Sequence, residues 1–328
     1  MTSHLLLFVV YSFLLASPAL ANETTTIHKH SSAVFPDKET AIEKLTERDQ
    51  FVEAMSRFDR QSRLQSDTDV TIEAYLEFVS QHVLDWNDDE IKLVKSVLTS
   101  LEEKFRPYQL PFPEHVLFVK TDGKEEGGAA YCRRNMVVLP APRVAVSRER
   151  LERLIIHELF HVLSSHNPKL RQKLYSIIQF ETGAEIPLPS SLAERKLTNP
   201  DAPLVNSVIS LTHNEKEITV TPILFSKVEK YESTLGGPFF KFLEFKLMVV
   251  VQDESQWKPL LVDDAPVLLS PGKTPDYIKR IGNNTGYIIH PDEILADNFV
   301  HLILQAKDLE TPHIVTQMGA LLTDSGTE

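Results

Sequence analysis

The stretch IIHELFHVL, Ile155 to Leu163, sets His157, Glu158 and His161 into a run that is otherwise apolar. Leu154, Ile155, Ile156, Leu159, Phe160, Val162 and Leu163 cover nearly every side of a 3.6-residue repeat, so the segment reads as a helix buried all round. Ser147 is placed to cap its start, and Asn167-Pro168 to end it. A buried imidazole or carboxylate without a partner is costly, roughly 2–7 kcal/mol for an unpaired polar group, so the three polar side chains need something to bind.

Residues four apart on a helix lie on one face, so His157 and His161 can direct imidazole nitrogens at a single point, with Glu158 beside them. This is the H-E-x-x-H pattern of zinc peptidases, in which two neutral imidazoles hold Zn2+ and the glutamate takes a proton from water. Catalytic zinc needs a third protein ligand and an open position. His166 does not complete the metzincin pattern, which requires glycine where Ser164 stands and histidine where Asn167 stands. Glu181 lies in ETGAEIPLP, a segment that Gly183 and Pro187 make a poor helix. Glu293, in HPDEILADNF (290–299), stands in the first turn of a helix opened by Pro291-Asp292, with Asp297 one turn on along the same face. Glu293 is therefore the expected third ligand. Asp297 is the expected acceptor for the free N–H of zinc-bound His157, fixing its tautomer.

A HExxH helix paired with a later helix carrying Glu and then, four residues on, Asp resembles the gluzincin group of zinc metallopeptidases. PDEILADNF is also similar to the glutamate helix of anthrax-lethal-factor-like peptidases, with Pro shortly before the Glu, then Ala, an acid and Phe. The resemblance covers about 128–166 and 287–305. It implies a zincin-like catalytic domain that hydrolyses peptide bonds in a peptide or protein substrate, with Zn2+ as cofactor and Glu158 as general base. It further implies that Gly128, Ala129 and Ala130, in GGAAYCRRNMVVLP, belong to an edge strand that pairs with substrate by β-augmentation, the glycines allowing close backbone approach. Tyr287, with His290 as its rival, would steady the oxyanion. The competing expectation is a zinc-binding envelope protein of the same fold that has lost hydrolysis.

The rest of the chain reads as α+β. With 328 residues and 42% apolar content it can bury a large core. Its 34 basic against 46 acidic residues repel nucleic acid and anionic headgroups, which excludes a nucleic-acid role. Residues 1–21 have the apolar run and A-x-A ending of a signal peptide, so export to a bacterial periplasm or the medium is expected, without stable membrane insertion after cleavage; an uncleaved N-terminal anchor is the alternative. The lone Cys132 permits no internal disulfide and is expected to pack rather than react. Polar residues 22–37 read as a flexible lead-in, and 38–106 as a helical module: one helix from about Lys38 to Arg63, one from about Thr71 to Trp86, and one opened by an Asn87/Glu90 capping box. Strands are expected over 115–121 and 129–140. The catalytic domain then spans 107–328, with a β-rich insertion at about 180–275 whose hairpins turn at Asn214-Glu215 and at Asp253-Glu254-Ser255.

Overall fold

The computed structural model describes residues 24–254 and 256–323; the expected signal peptide lies outside them. The chain is a mixed α+β protein. Strands β1 (Thr25–His28) and β2 (Ser31–Val34) lead into helices α1 (Lys38–Leu45), α2 (Gln50–Ala54), α3 (Arg57–Leu64) and α4 (Ile72–His82). Strand β3 (Val83–Leu84), helix α5 (Asp88–Phe105) and strands β4 (His115–Thr121), β5 (Tyr131–Arg133) and β6 (Met136–Pro140) follow. These strands make one sheet, ordered β1-β2-β4-β6-β5, with β3 alongside β4. β2, β4 and β6 run parallel, and β5 lies antiparallel at the edge.

Several expectations for this half need correction. Residues 25–34 are not a free lead-in but a hairpin, docked because Ser32 to Val34 pair in register with His115 to Leu117. The helix expected over 38–63 is three helices. Asp49 and Ser56 each turn a side-chain oxygen onto a backbone N–H three residues ahead, and so start new helices instead of continuing the old one. The second helix stops at His82 because Val83 and Leu84 pair with β4. The strand expected over 129–140 is the tight hairpin β5–β6, turning at Arg134 with φ 57°. The capping box of Asn87 and Glu90 forms as expected.

Nor are residues 38–106 a separate module. Alternation along β4 and β6 sends Val119, Met136 and Val138 to one face, where they pack with Ala41, Phe51, Tyr75 and Val79 of α1, α2 and α4. Val116, Phe118, Val137 and Leu139 face the other side and meet α5 in the main core.

The second half runs through α6 (Ala141–Val144), α7 (Arg148–His166), α8 (Pro168–Ile177), β7 (Phe180–Thr182), α9 (Ser190–Ala193), β8 (Ser207–His213), β9 (Lys216–Ser226), β10 (Leu243–Asp253) and β11 (Gln256–Pro259). Helices α10 (Pro275–Ile281), α11 (Pro291–Ile303) and α12 (Pro312–Thr323) close it. Strands β7 to β11 form an antiparallel second sheet in sequence order. Asn214 and Glu215, at φ 49° and 63°, make the two-residue turn between β8 and β9, and Glu254 turns β10 towards β11 at φ 53°. One face of this sheet, with Ile209, Val220 and Leu247, joins the main core, while Val208, Ile223 and Met248 on the other build a smaller cluster. The insertion thus shares the core that holds α7. Among the described residues no helix is long and apolar enough to cross a membrane.

At the centre α7 and α11 pack together. Phe160 meets Phe299 at 5.5 Å between ring centroids, and Phe299 meets Phe105 of α5 at 6.1 Å. A second tie crosses the whole chain. The fully buried Arg63 grips Glu126 through two bonds of 2.8 Å, pairs with Asp59 and donates to the carbonyl of Thr198 at 3.2 Å. Removing one partner of a buried ion pair strands the other charges, so Arg63→Ala should cost about 3–5 kcal/mol, read as a fall in the denaturation midpoint. An unchanged midpoint would mean that this cluster does not tie the segments together.

Candidate metal centre

Helix α7 starts where Ser147 accepts from Arg150 N, and its buried middle presents His157 and His161 to α11. Helix α11 starts two residues earlier than Glu293, with His290 as its cap, so Glu293 stands in the third position of the first turn. Two segments 136 residues apart meet here: His157 Nε2 lies 3.1 Å and His161 Nε2 3.4 Å from the same oxygen, Glu293 Oε2. Ligand atoms of the three residues lie within 4.8 Å of one another, close enough to hold a metal ion. Donors placed tetrahedrally about 2.0–2.1 Å from a common ion would stand roughly 3.3 Å apart, which matches the two contacts to Glu293.

Each of the three has its second polar atom tied back. His157 Nδ1 meets Asp297 Oδ1 at 3.0 Å, His161 Nδ1 meets Asp292 Oδ2 at 2.7 Å, and Asn199 Nδ2 donates to Glu293 Oε1 at 2.6 Å. A carboxylate only accepts, so both Nδ1 atoms carry hydrogen and both Nε2 atoms turn to the common point. The tethers are themselves held: Asp297 accepts from Thr285, and the fully buried Asp292 accepts from Ser164 and from Tyr175 at 2.8 Å. His161 Nε2 is buried yet has no hydrogen-bond partner. Five carboxyl groups, on Glu158, Asp201, Asp292, Glu293 and Asp297, surround two imidazoles and Arg171, which stands 4.0 Å from Asp292. An orphaned imidazole nitrogen amid surplus acid fits a cation.

The titration of these groups follows from the same contacts. Burial opposes charge on His157, but its bonds to Asp297 and Glu293 win and push it up to about 10. His161 is raised too, the charges of Asp201 and Glu293 overcoming burial. Against burial, the two histidines hold Glu293 well below its usual range, and His161 and Arg171 bring Asp292 to about 2. A metal ion held by these groups would compete with protons for the two imidazoles.

Beside this point is Glu158, buried, with Cys132 Sγ 2.9 Å from its carbonyl oxygen. Burial pushes the Cys132 thiol well up, consistent with a packing residue. Asp201 accepts from Cys132 N at 2.6 Å and so covers the outward N–H of edge strand β5. Burial raises both Glu158 and Asp201 above the usual carboxylate range, with the charge of Glu293 adding to the rise of Glu158 and those of Glu158 and Glu293 to that of Asp201. A cleft of about 470 Å3 opens here, lined by Ala129, Ala130, His157, Glu158, Tyr287 and Glu293.

The sequence-based candidates fall as follows. His157, His161 and Glu293 converge, Asp297 meets His157, and Glu158 lies alongside. Glu181 does not join them: it is exposed on β7, paired with Val208 of β8. Tyr287 faces the cleft, its ring stacked 6.2 Å from that of His157. His290 instead spends Nδ1 on Asp292 N as the cap of α11 and does not line the cleft. Ala129 and Ala130 line it; Gly128, just before them, has a φ of 84° that favours glycine and open space where a Cβ would stand. Asn199, Asp201 and Asp292 carry structural roles that local pattern did not reveal. Asp292 reads in sequence only as a helix start.

Compared with protein-family models, curated proteins and solved structures, the chain matches none.

Two measurements test the geometry. Glu293→Ala should abolish stoichiometric retention of a divalent ion on dialysis while Glu181→Ala leaves it intact; the reverse result moves the third ligand. Asp297→Asn should weaken metal affinity roughly ten- to a hundredfold with little change in melting temperature. Asp292→Asn should lower both, because Asp292 also anchors Ser164 and Tyr175. Titration calorimetry and thermal unfolding read the two effects separately.

Proposed function

We propose that the chain is a zinc-dependent peptidase of gluzincin type, its α7–α11 pairing the zincin-like core that the sequence resemblance implies. The observation that carries this reading is the convergence of His157, His161 and Glu293 on one point, with Glu158 beside it and an open cleft in front. Three nitrogen and carboxylate donors with a free side fit zinc better than magnesium or calcium, which prefer six or more oxygens. Glu293, His157 and His161 would hold the ion, oriented by Asn199, Asp297 and Asp292.

When bound, the ion supplies Lewis acidity to water and to the substrate carbonyl. The protein's own groups do the rest. Glu158, kept above the usual carboxylate range by burial, is suited to take a proton from the attacking water and to pass it to the leaving amine. The phenol of Tyr287 can donate to the oxygen on which negative charge develops. Ala129 and Ala130 lead into edge strand β5, along which an extended peptide could align. In that pose the substrate competes with Asp201 for the N–H of Cys132.

Glu158→Gln decides between catalysis and simple metal binding. Because Glu158 is not among the converging donors, the variant should keep stoichiometric zinc and lose peptide hydrolysis by at least a hundredfold. Loss of zinc together with activity would assign Glu158 to the metal instead, and full activity would remove it from the mechanism.

A further inference from the structure

Arg153 and Arg150 stand one and two turns before His157 on the face of α7 that carries it, and both line the cleft, as does Arg143 of α6. Arg143 is anchored at the rim by a 2.9 Å bond from Nε to Gly128 O. The guanidinium groups of Arg150 and Arg153 are exposed and, among the described residues, have no hydrogen-bond or ion-pair partner. The nearby Glu152 is taken by Lys104 at 2.7 Å. In a chain of net charge −12, three arginines on one wall of one cleft are a local reversal of sign. Of the acids that line the cleft, Glu293 and Asp297 pair with the histidines, Asp201 accepts from Cys132 N and Glu158 is buried, and among the described residues none forms an ion pair with these arginines.

We infer that this wall is a substrate subsite for a carboxylate, either an Asp or Glu side chain or the free C-terminus of a peptide, lying beside the bond to be cut. The inference rests on the peptidase reading for what occupies the cleft, but the charge pattern stands without it. A helix rises 1.5 Å per residue, so Arg153 and Arg150 lie about 6 and 10 Å along α7 from His157. An extended peptide advances about 3.3 Å per residue, which sets the acidic group about two to three residues from the scissile bond. Guanidinium forks recognise carboxylates through paired N–H bonds.

The test is binding to the zinc-loaded Glu158→Gln protein, read by fluorescence anisotropy of labelled decapeptides. The peptides share one neutral background and carry two glutamates, two glutamines or two lysines, each with an amidated or a free C-terminus. Glutamate peptides should bind at least tenfold tighter than glutamine peptides, with the difference shrinking as salt rises. Adding Arg150→Glu and Arg153→Glu, both at exposed positions, should remove that preference and favour the lysine peptides. Tighter binding confined to free C-termini would assign the subsite to the terminal carboxylate, within the same chemistry. Equal binding of glutamate and glutamine peptides together with equal binding of free and amidated termini, or a preference that survives the charge reversal, overturns the inference. Cleavage by the Glu158 form of the same peptides separates the two ideas. Preferential binding without cleavage would count against the peptidase reading alone, and cleavage without charge preference against the subsite alone.

Discussion

Everything at the centre of this protein depends on pressing two helices together across a dry interface that contains ionisable groups. Water cannot solvate His161, Asp292 or Glu293, each almost wholly buried, so they must satisfy one another or a bound ion. The aromatic contacts of Phe160 and Phe299 hold α7 and α11 in place, and the hydrogen bonds then have little freedom left. Each converging donor is fixed by a second partner on its far side, which is how a flexible side chain becomes part of a rigid site. The consequence is a constellation whose geometry exists before anything binds to it.

The arrangement is electrostatically one-sided. Excess carboxyl groups around two imidazoles would repel one another without protons or a cation between them, and the raised histidines together with the depressed Glu293 and Asp292 express the proton-filled state. A buried ionic cluster is by itself weak evidence of added stability, and its perturbed titration marks it as a candidate site. The same cleft is lined by the exposed Arg143, Arg150 and Arg153, so cations lie at its surface and the buried acids Glu158 and Glu293 beneath.

What the sequence made legible was whatever is written in short spacings. The capped start of α7, the hairpin turn at Asn214-Glu215, the i, i+4 histidines and the Glu293–Asp297 pair all lie within a few residues of one another, and they appear as read. Side chains that compete with the backbone were harder to weigh. Asp49 and Ser56 break one expected helix into three, though each is a good cap when read locally. Through-space roles left no local trace: Asn199 reaches Glu293 across 94 positions, and Asp292 reaches His161 across 131. The docking of β1 and β2 was hidden for the same reason, since their partner strand begins only at His115.

The second sheet lies in sequence between the two halves of the centre, and that placement governs the order in which the molecule can come into being. The contacts that close the centre are among the longest in the chain, and loops of that length close late in folding. A nascent chain that has exposed α7 but not α11 has two histidines and no Glu293. The segment between them also carries Asn199, which donates to Glu293 Oε1, so this donor is fully held only when that segment is in place as well. The three converging donors are therefore a property of the assembled fold and of no shorter stretch of chain.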